Sequence, residues 1–513
     1  MIVSETTVTE MLEPEMIAPE PFSAYLDRYR QTVRFLFRER LDQDRLNLQR
    51  GLPPFLLKEI LASRPLDASI PLEYGGRGSD AREILAILEA SAYESLPLSL
   101  IMGISGALFT EPMAKYADKA IAEPVFARLR DEGALGGLMI TEPGFGTDAL
   151  GMTTSYATGP DGYRIRGEKH WAGLSGWADY WIVTARRRAA DGSLGRDLGF
   201  FFCDSRRPGQ LVRVEEYYNN LGLYMIPYGR NHLDLSVPAN HKLESDGGGI
   251  RLMQDLLHRS RMRFPGMALG FIRRLYDEAA THARERFVGG KALVSFDQVQ
   301  RRLSELQSFV TTAAAFCRDA ARRSGLRLNL VREGLAANIH KTLMSDYMQR
   351  AAQSVLQLVG AKGYRQDHFA GRATTDSRPF QIFEGSNDVM YQQIADGFLK
   401  PMRKSGERSL ARFLASHPLT FRGVDRVRDL LNFSVSETLP QRRRVDLGRI
   451  LSCVTAIDWN ASLQDHGFDR ALVDNAFGQL REEIGTLVGT FMHGHGGIVT
   501  ERAGSGGDWL RTV

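Results

Sequence analysis

Apolar and polar positions change their period twice along the chain. After an acidic stretch at residues 1–20, expected to be a flexible arm, AYLDRYRQTVRFLFRERL from Ala24 repeats apolar residues at intervals of three and four. The same helical period recurs in PFLLKEILAS and in AREILAILEASAYES (81–95). LPLSLIMGISGALFTEPMAKYA (96–117) is mostly apolar and predicts a buried segment. From Leu138 the pattern shortens to β-branched or alternating stretches (LMIT, TTSYAT, GYRIRG, YWIVTARR, LGFFFCDS, LVRVEEYY, NHLDLSV) separated by Gly, Asp and Pro, which predicts an antiparallel sheet or small barrel. Helical periodicity returns over 249–287, 295–325 and 331–360, and again after Glu384. These segments predict a four-helix bundle.

The resulting fold class is α+β, mostly α. It has an N-terminal helical domain at 21–135, a central antiparallel β-barrel domain at 136–242, a four-helix-bundle domain at 243–402, and a helical extension at 403–513 that ends in a Gly-rich tail. At 513 residues, more than one core is required.

Composition narrows the class further. Charged residues at 25% and hydrophobic ones at 43% are ordinary for a soluble globular protein. A net charge of +4 does not argue for a nucleic-acid partner, although Arg259, Arg261 and Arg263 form a cluster that could meet an acidic or phosphorylated ligand. Basic residues from Arg403 to Arg444 are interleaved with acids. Three scattered cysteines lack metal spacing and fit a reducing, cytoplasmic setting. No run reaches the roughly eighteen uninterrupted apolar residues of a transmembrane segment.

Three stretches carry candidate chemistry. In RPFQIFEGSNDVMYQQIADGFL (378–399), Phe380, Ile382 and Phe383 deliver Glu384 to a glycine turn, and Ser386 or Asn387 then caps a new helix. A carboxylate between Phe383 and Gly385 is expected to be partly desolvated, with a raised pKa; a plain capping loop is the alternative. TEPGFGTD (141–148) joins two strands through two glycines and suits a flat polar ligand or a phosphate, or else is a simple hairpin. Trp171, in GEKHWAGLSGWADYW (167–181), can cover a planar ring or serve the core.

Together with IPLEYGG (70–76), the Arg261 to Gly270 segment, Arg286 before FDQVQ (296–300) and QLVGAKGY (357–364), these stretches resemble the acyl-CoA dehydrogenase family in order, across about residues 25–400. The resemblance implies an FAD enzyme that introduces a 2,3-double bond into an acyl thioester. Glu384 would remove the α-proton while the β-hydrogen leaves as hydride to flavin N5, and the backbone N–H of Glu384 would help hold the thioester carbonyl. It further implies cofactor contacts from Thr141, Gly146, Thr147, Trp171, Gly173, Arg286, Gln357, Gly360, Ser386 and Asp388, with the pyrophosphate and adenosine held across a subunit boundary in a homodimer or homotetramer. Thr147, Arg261 and Gly385 would touch substrate. No metal is implied. The partners would be acyl-CoA or a carrier-bound acyl thioester, and an electron-transfer flavoprotein or other acceptor.

Some family members place the base just before the arginine. Here that position is Ser260, so Glu384 is the only candidate base. Two departures stand out. Gly173 replaces the hydroxyl usually offered to flavin N5, and Asp297 replaces the usual glutamine of the FDQVQ stretch. Oxygen-using oxidase or monooxygenase chemistry on the same fold, and a catalytically silent flavin-fold binder, are the other readings.

Overall fold

The computed structural model describes residues 20–46, 48, 50–436, 438–494 and 497. The arm expected at 1–20, apart from Glu20, and nearly all of the Gly-rich tail lie outside the described residues. Contacts divide the chain into two compact units, Met1–Ser386 and Asn387–Val513.

The first unit carries the site. Its N-terminal layer is built around Leu96–Tyr116, which begins on a Ser95 cap (Oγ accepts from Leu98 N at 3.3 Å) and widens into a π-helical turn over Ile104–Thr110. By length and composition this run could cross a membrane. Yet 94% of its most apolar window is buried inside the protein, which makes it a core helix. Helix Ala81–Glu94, capped by Asp80 on Arg82 N (2.7 Å), turns Ile84, Leu85, Ile87 and Leu88 inward against helix Phe264–Glu285. Gly270 permits this approach: a Cβ there would lie 2.0 Å from the Glu89 carbonyl oxygen.

The central layer is a curled seven-stranded sheet of β1 (Gly136–Met139), β2 (Ser155–Gly159), β3 (Gly162–Gly173), β4 (Tyr180–Arg188), β5 (Leu194–Asp204), β6 (Arg213–Tyr217) and β7 (Tyr228–Pro238). Its order is β1-β4-β2-β3-β7-β6, with β5 on the other edge of β4. The predicted antiparallel pairing holds for β2–β3, β3–β7, β4–β5 and β6–β7. β4 instead runs parallel to both β1 and β2. β4 and β5 are buried on both faces, through Trp181, Ile182 and Val183 in one and Phe200, Phe201 and Phe202 in the other, and Ile165, Leu233 and Leu235 continue the core onto β3 and β7.

Helices Gly248–Arg261, Phe264–Glu285, Asp297–Arg323 and Gly334–Val359 pack together behind the sheet. The apolar period predicts one segment over 249–287, but the chain breaks after Arg261. Pro265 explains the break: it has no N–H to offer the carbonyl four residues back, and its ring would collide with that carbonyl in a continuous helix.

In the second unit, helix Asn387–Ser405 packs on Gln441–Gln464, which also pairs with Arg470–His493. Gly448 lets the first two approach, since a Cβ there would meet the Tyr391 carbonyl oxygen at 2.0 Å.

Candidate active site

The approach to Glu384 is fixed by aromatic packing. Pro379 opens a short 3₁₀ turn over Arg378–Gln381, and its carbonyl accepts from Ile382 N (2.9 Å) and Phe383 N (3.0 Å). Phe380, fully buried, and Phe383 both meet the ring of Phe264 edge-on, at 5.7 and 6.0 Å. The chain then turns back sharply. Glu384 has φ +55° and Gly385 φ +97°. Glycine takes such a conformation freely, whereas for glutamate it stores on the order of 1 kcal/mol or more, which the surroundings must hold.

Three side chains hold it. Arg261 Nη2 donates to the Glu384 carbonyl at 2.8 Å, and Lys341 Nζ donates to the Gly385 carbonyl at 2.8 Å. Ser260 Oγ donates to Glu384 Oε1 at 2.6 Å. Ser260 and Arg261 end helix Gly248–Arg261, and Asn338 and Lys341 lie one turn apart on helix Gly334–Val359. Arg261 Nη1 joins the two helices by donating to Asn338 Oδ1 at 2.9 Å. The second carboxylate oxygen, Oε2, is buried without a hydrogen-bond partner.

Burial pushes the Glu384 carboxyl above the usual carboxylate range, against the opposing pull of the Ser260 hydrogen bond and the charges of Arg261 and Lys341. Burial also pushes Lys341 down to about 7. The arrangement is a desolvated carboxylate with one oxygen oriented and the other uncommitted, which is how a general base is presented to a proton.

A second group of residues is built on the sheet. The loop 141–148 is anchored beneath by Glu142, 1% exposed, whose carboxylate accepts from Lys169 Nζ (2.8 Å), Thr153 N (2.6 Å) and Thr154 N (3.1 Å). Its rim is open: a Cβ at Gly144 or Gly146 would meet nothing within 4 Å, and Thr147 and Asp148 are exposed. The Thr141 carbonyl accepts from His170 N at 3.0 Å, which sets Trp171 next to the loop. Trp171 is the extra residue of a β-bulge: pairing with β7 shifts register between His170 and Ala172. Its φ is +56°, and its indole is 53% exposed with Tyr218 at 4.5 Å. Bulges re-aim a side chain in this way. At Gly173 the space a side chain would need is taken by Ile104, whose Cδ1 lies 2.7 Å from an ideal Cβ, and by Tyr228.

Arg286, Gln357 and Gly360 are all exposed. Gly360 has φ +75° and open space around its Cα. Asp297 is exposed and accepts from Gln298 N at 2.8 Å. Ser386 is half-buried, and the exposed Asp388 lies 3.4 Å from Arg449.

One expectation is corrected. Arg259 and Arg263 do not face a ligand; they are 1% and 0% exposed. Arg263 grips Glu111 with Nε (3.1 Å) and Nη2 (2.8 Å), and Arg259 donates to the carbonyls of Ser324, Gly325, Leu326 and Leu328. The sequence reading passed over Lys341 and the Glu142–Lys169 pair. Only its place on a helix whose neighbouring turns carry Ala337 and Met344 hinted at the burial of Lys341.

Comparison with known proteins gives a consistent result. Models of the N-terminal, middle and C-terminal domains of acyl-CoA dehydrogenase match residues 25–132, 137–235 and 247–399. The short-chain specific acyl-CoA dehydrogenase of Megasphaera elsdenii is 26% identical over 355 residues, 67% of this chain and 90% of that protein. Among solved structures, an acyl-CoA dehydrogenase complexed with FAD from Bacillus anthracis shares the fold at TM-score 0.75 and 19% identity, covering 94% of this chain and 90% of that one. A prolyl acyl carrier protein oxidase shares it at TM-score 0.65 and 19% identity, covering 72% of this chain and 98% of that one.

Proposed function

We propose that this chain, which belongs to the acyl-CoA dehydrogenase family of FAD oxidoreductases, removes hydrogen from carbons 2 and 3 of an acyl thioester with Glu384 as its base. The observation that carries the reading is the unpartnered, buried Oε2 of a carboxylate whose other oxygen is held by Ser260.

The residues on the sheet fit FAD. The bulged indole of Trp171 offers a flat apolar face, Thr141 and Thr147 bring hydroxyls, and the open rim at Gly144 and Gly146 leaves backbone donors unobstructed. When bound, FAD supplies a two-electron acceptor for the β-carbon. Arg286, Gln357 and Gly360, exposed on one chain, suit an adenosine end held by a second copy, so a homodimer or larger assembly is part of the proposal.

The chain's own residues handle the proton. An α-proton is far less acidic than a carboxylic acid, so its removal needs the developing enolate to be stabilised as it forms. The Glu384 turn serves the proton transfer: Arg261 and Lys341 fix the carbonyls of Glu384 and Gly385 and so hold the two left-handed residues that aim the carboxylate, while burial raises the basicity of Oε2. Ser260 works in the other sense by favouring the charged form. Ser260→Ala is therefore expected to move the acid limb of kcat/KM up by about one to two pH units and to lower activity about tenfold or more at acid pH, since a hydrogen bond to a charged group contributes about 1.5–3 kcal/mol. A pH–rate profile measures this; an unmoved limb would contradict the assigned contact.

Electrons would pass to an electron-transfer flavoprotein or another acceptor, in the cytoplasm. A second reading keeps the chemistry but tethers the acyl group to a carrier protein. It is favoured by the burial of Arg259 and Arg263, which leaves fewer cations for the phosphates of CoA. The deciding experiment is an anaerobic titration of the FAD-loaded protein with saturated acyl-CoAs and with acyl-carrier conjugates. Bleaching of the flavin band by acyl-CoA supports the first reading, and bleaching by the conjugate alone supports the second. Unchanged absorbance with both would overturn the dehydrogenase assignment.

A further inference from the structure

Two cations, both buried, converge on the turn that presents Glu384. Arg261 is 7% exposed and Lys341 is 0% exposed. An ammonium is costly to bury, and a methionine would fill similar space without that cost, so its presence calls for a partner that needs it. One such partner is the Gly385 carbonyl, 2.8 Å from Nζ, one residue beyond the carbonyl taken by Arg261. Building on the reading of Glu384 as base, we propose that Lys341 is a positioning residue. It pins the Gly385 carbonyl so that two successive left-handed residues stay in place, and its charge keeps the carboxylate of Glu384 in the proton-accepting form.

Glu384 faces Ser260, Arg261 and Lys341; Lys341 faces Glu384, Arg261 and, on its own helix, Asp346. Asp346 in turn accepts from Gln381 Nε2 at 2.6 Å, which ties the same helix to the approach segment. Burial brings Lys341 down to about 7, so its charge, and with it the support for the carboxylate, weakens as pH rises. Removing the charge moves the Glu384 equilibrium toward the neutral acid.

The test compares FAD-loaded wild type with Lys341→Met, Lys341→Gln, Lys341→Arg and Glu384→Gln. Lys341→Met should lower kcat by about 10- to 100-fold, the scale of a base displaced by a fraction of an ångström to an ångström, with KM little changed. Its acid limb of kcat/KM should shift to higher pH, and Lys341→Arg should return most of both. Infrared titration of the Glu384 carboxyl, without substrate, should show the same upward shift. If Lys341→Met does not fold, Lys341→Gln carries the comparison. A folded Met or Gln variant with a wild-type acid limb and carboxyl titration would overturn the proposal, leaving Lys341 a packing residue. The base assignment has its own control: if Glu384→Gln stays active, that assignment falls and takes the Lys341 role with it, whereas an inactive Glu384→Gln beside an unaltered Lys341→Met defeats the Lys341 role alone.

Discussion

Glu384→Gln is expected to lower kcat by about a thousandfold, within the range that a positioned general base contributes, without lowering the stability of the protein. The amide keeps the shape of the side chain, and its oxygen can still accept from Ser260 at the place of Oε1. The sign of the stability change follows from the direction of the pKa. Burial raises the folded-state value above the ordinary 4.5, so the contribution of Glu384 to stability is complete below about 4.5 and is lost as pH rises through the raised value. Above that raised value the wild type carries a charge that its site disfavours, and the amide does not. Thermal unfolding across pH should therefore find the variant at least as stable as wild type at alkaline pH, with the difference shrinking in acid. A variant within tenfold of wild-type kcat would sink the base assignment. A variant whose stability fell along with its activity would point to a structural role instead.

The second large effect is expected far from the base. Lys169→Met should destabilise the protein by about 3–5 kcal/mol, the scale for breaking a buried ion pair by removing one partner. Lys169 is 0% exposed and donates to Glu142, to the Ile140 carbonyl (2.9 Å) and to Thr184 Oγ1 (3.1 Å). Without it, Glu142 stays buried on Thr153 and Thr154 alone. The lysine now holds that carboxyl below its usual range, so its loss lets the carboxyl protonate more readily. The penalty should thus be largest above neutrality and shrink as pH falls. Urea unfolding at several pH values would show the trend, and a cost that did not vary with pH would argue against an uncompensated carboxylate. FAD affinity should weaken as well, because Glu142 anchors the loop that carries Thr141, Gly146 and Thr147.

The succession of helical layer, sheet and helical bundle is legible in the sequence because it rests on local periodicity. Finer features depend on partners distant in the chain. The parallel pairing of β4 with β1 and β2 leaves no trace in β4 itself, whose apolar run is buried on both faces and reads the same beside a neighbour of either direction. Arg259 and Arg263 recur at a helical spacing that suits a solvated or ligand-facing stripe equally well; their fate is decided by Glu111, which sits on another helix. The bundle break after Arg261 was signalled by Pro265, but the apolar period runs through it unaltered. Glu384 is legible as a candidate because the glycine turn and the aromatic approach are contiguous. The roles of Ser260 and Lys341 are not, because each is defined by an atom more than forty residues away.

The burial of Leu96–Tyr116 has a consequence for synthesis. Its cover includes β1 and helices Gly248–Arg261 and Phe264–Glu285, all of which lie downstream. At ribosomal speed that cover arrives on the order of ten seconds after the segment itself has been made. Throughout that interval only segments made earlier, helix Ala81–Glu94 among them, can cover a stretch composed well enough to enter a lipid bilayer. A chaperone able to shield the segment until the bundle is complete is therefore expected to raise the yield of active protein.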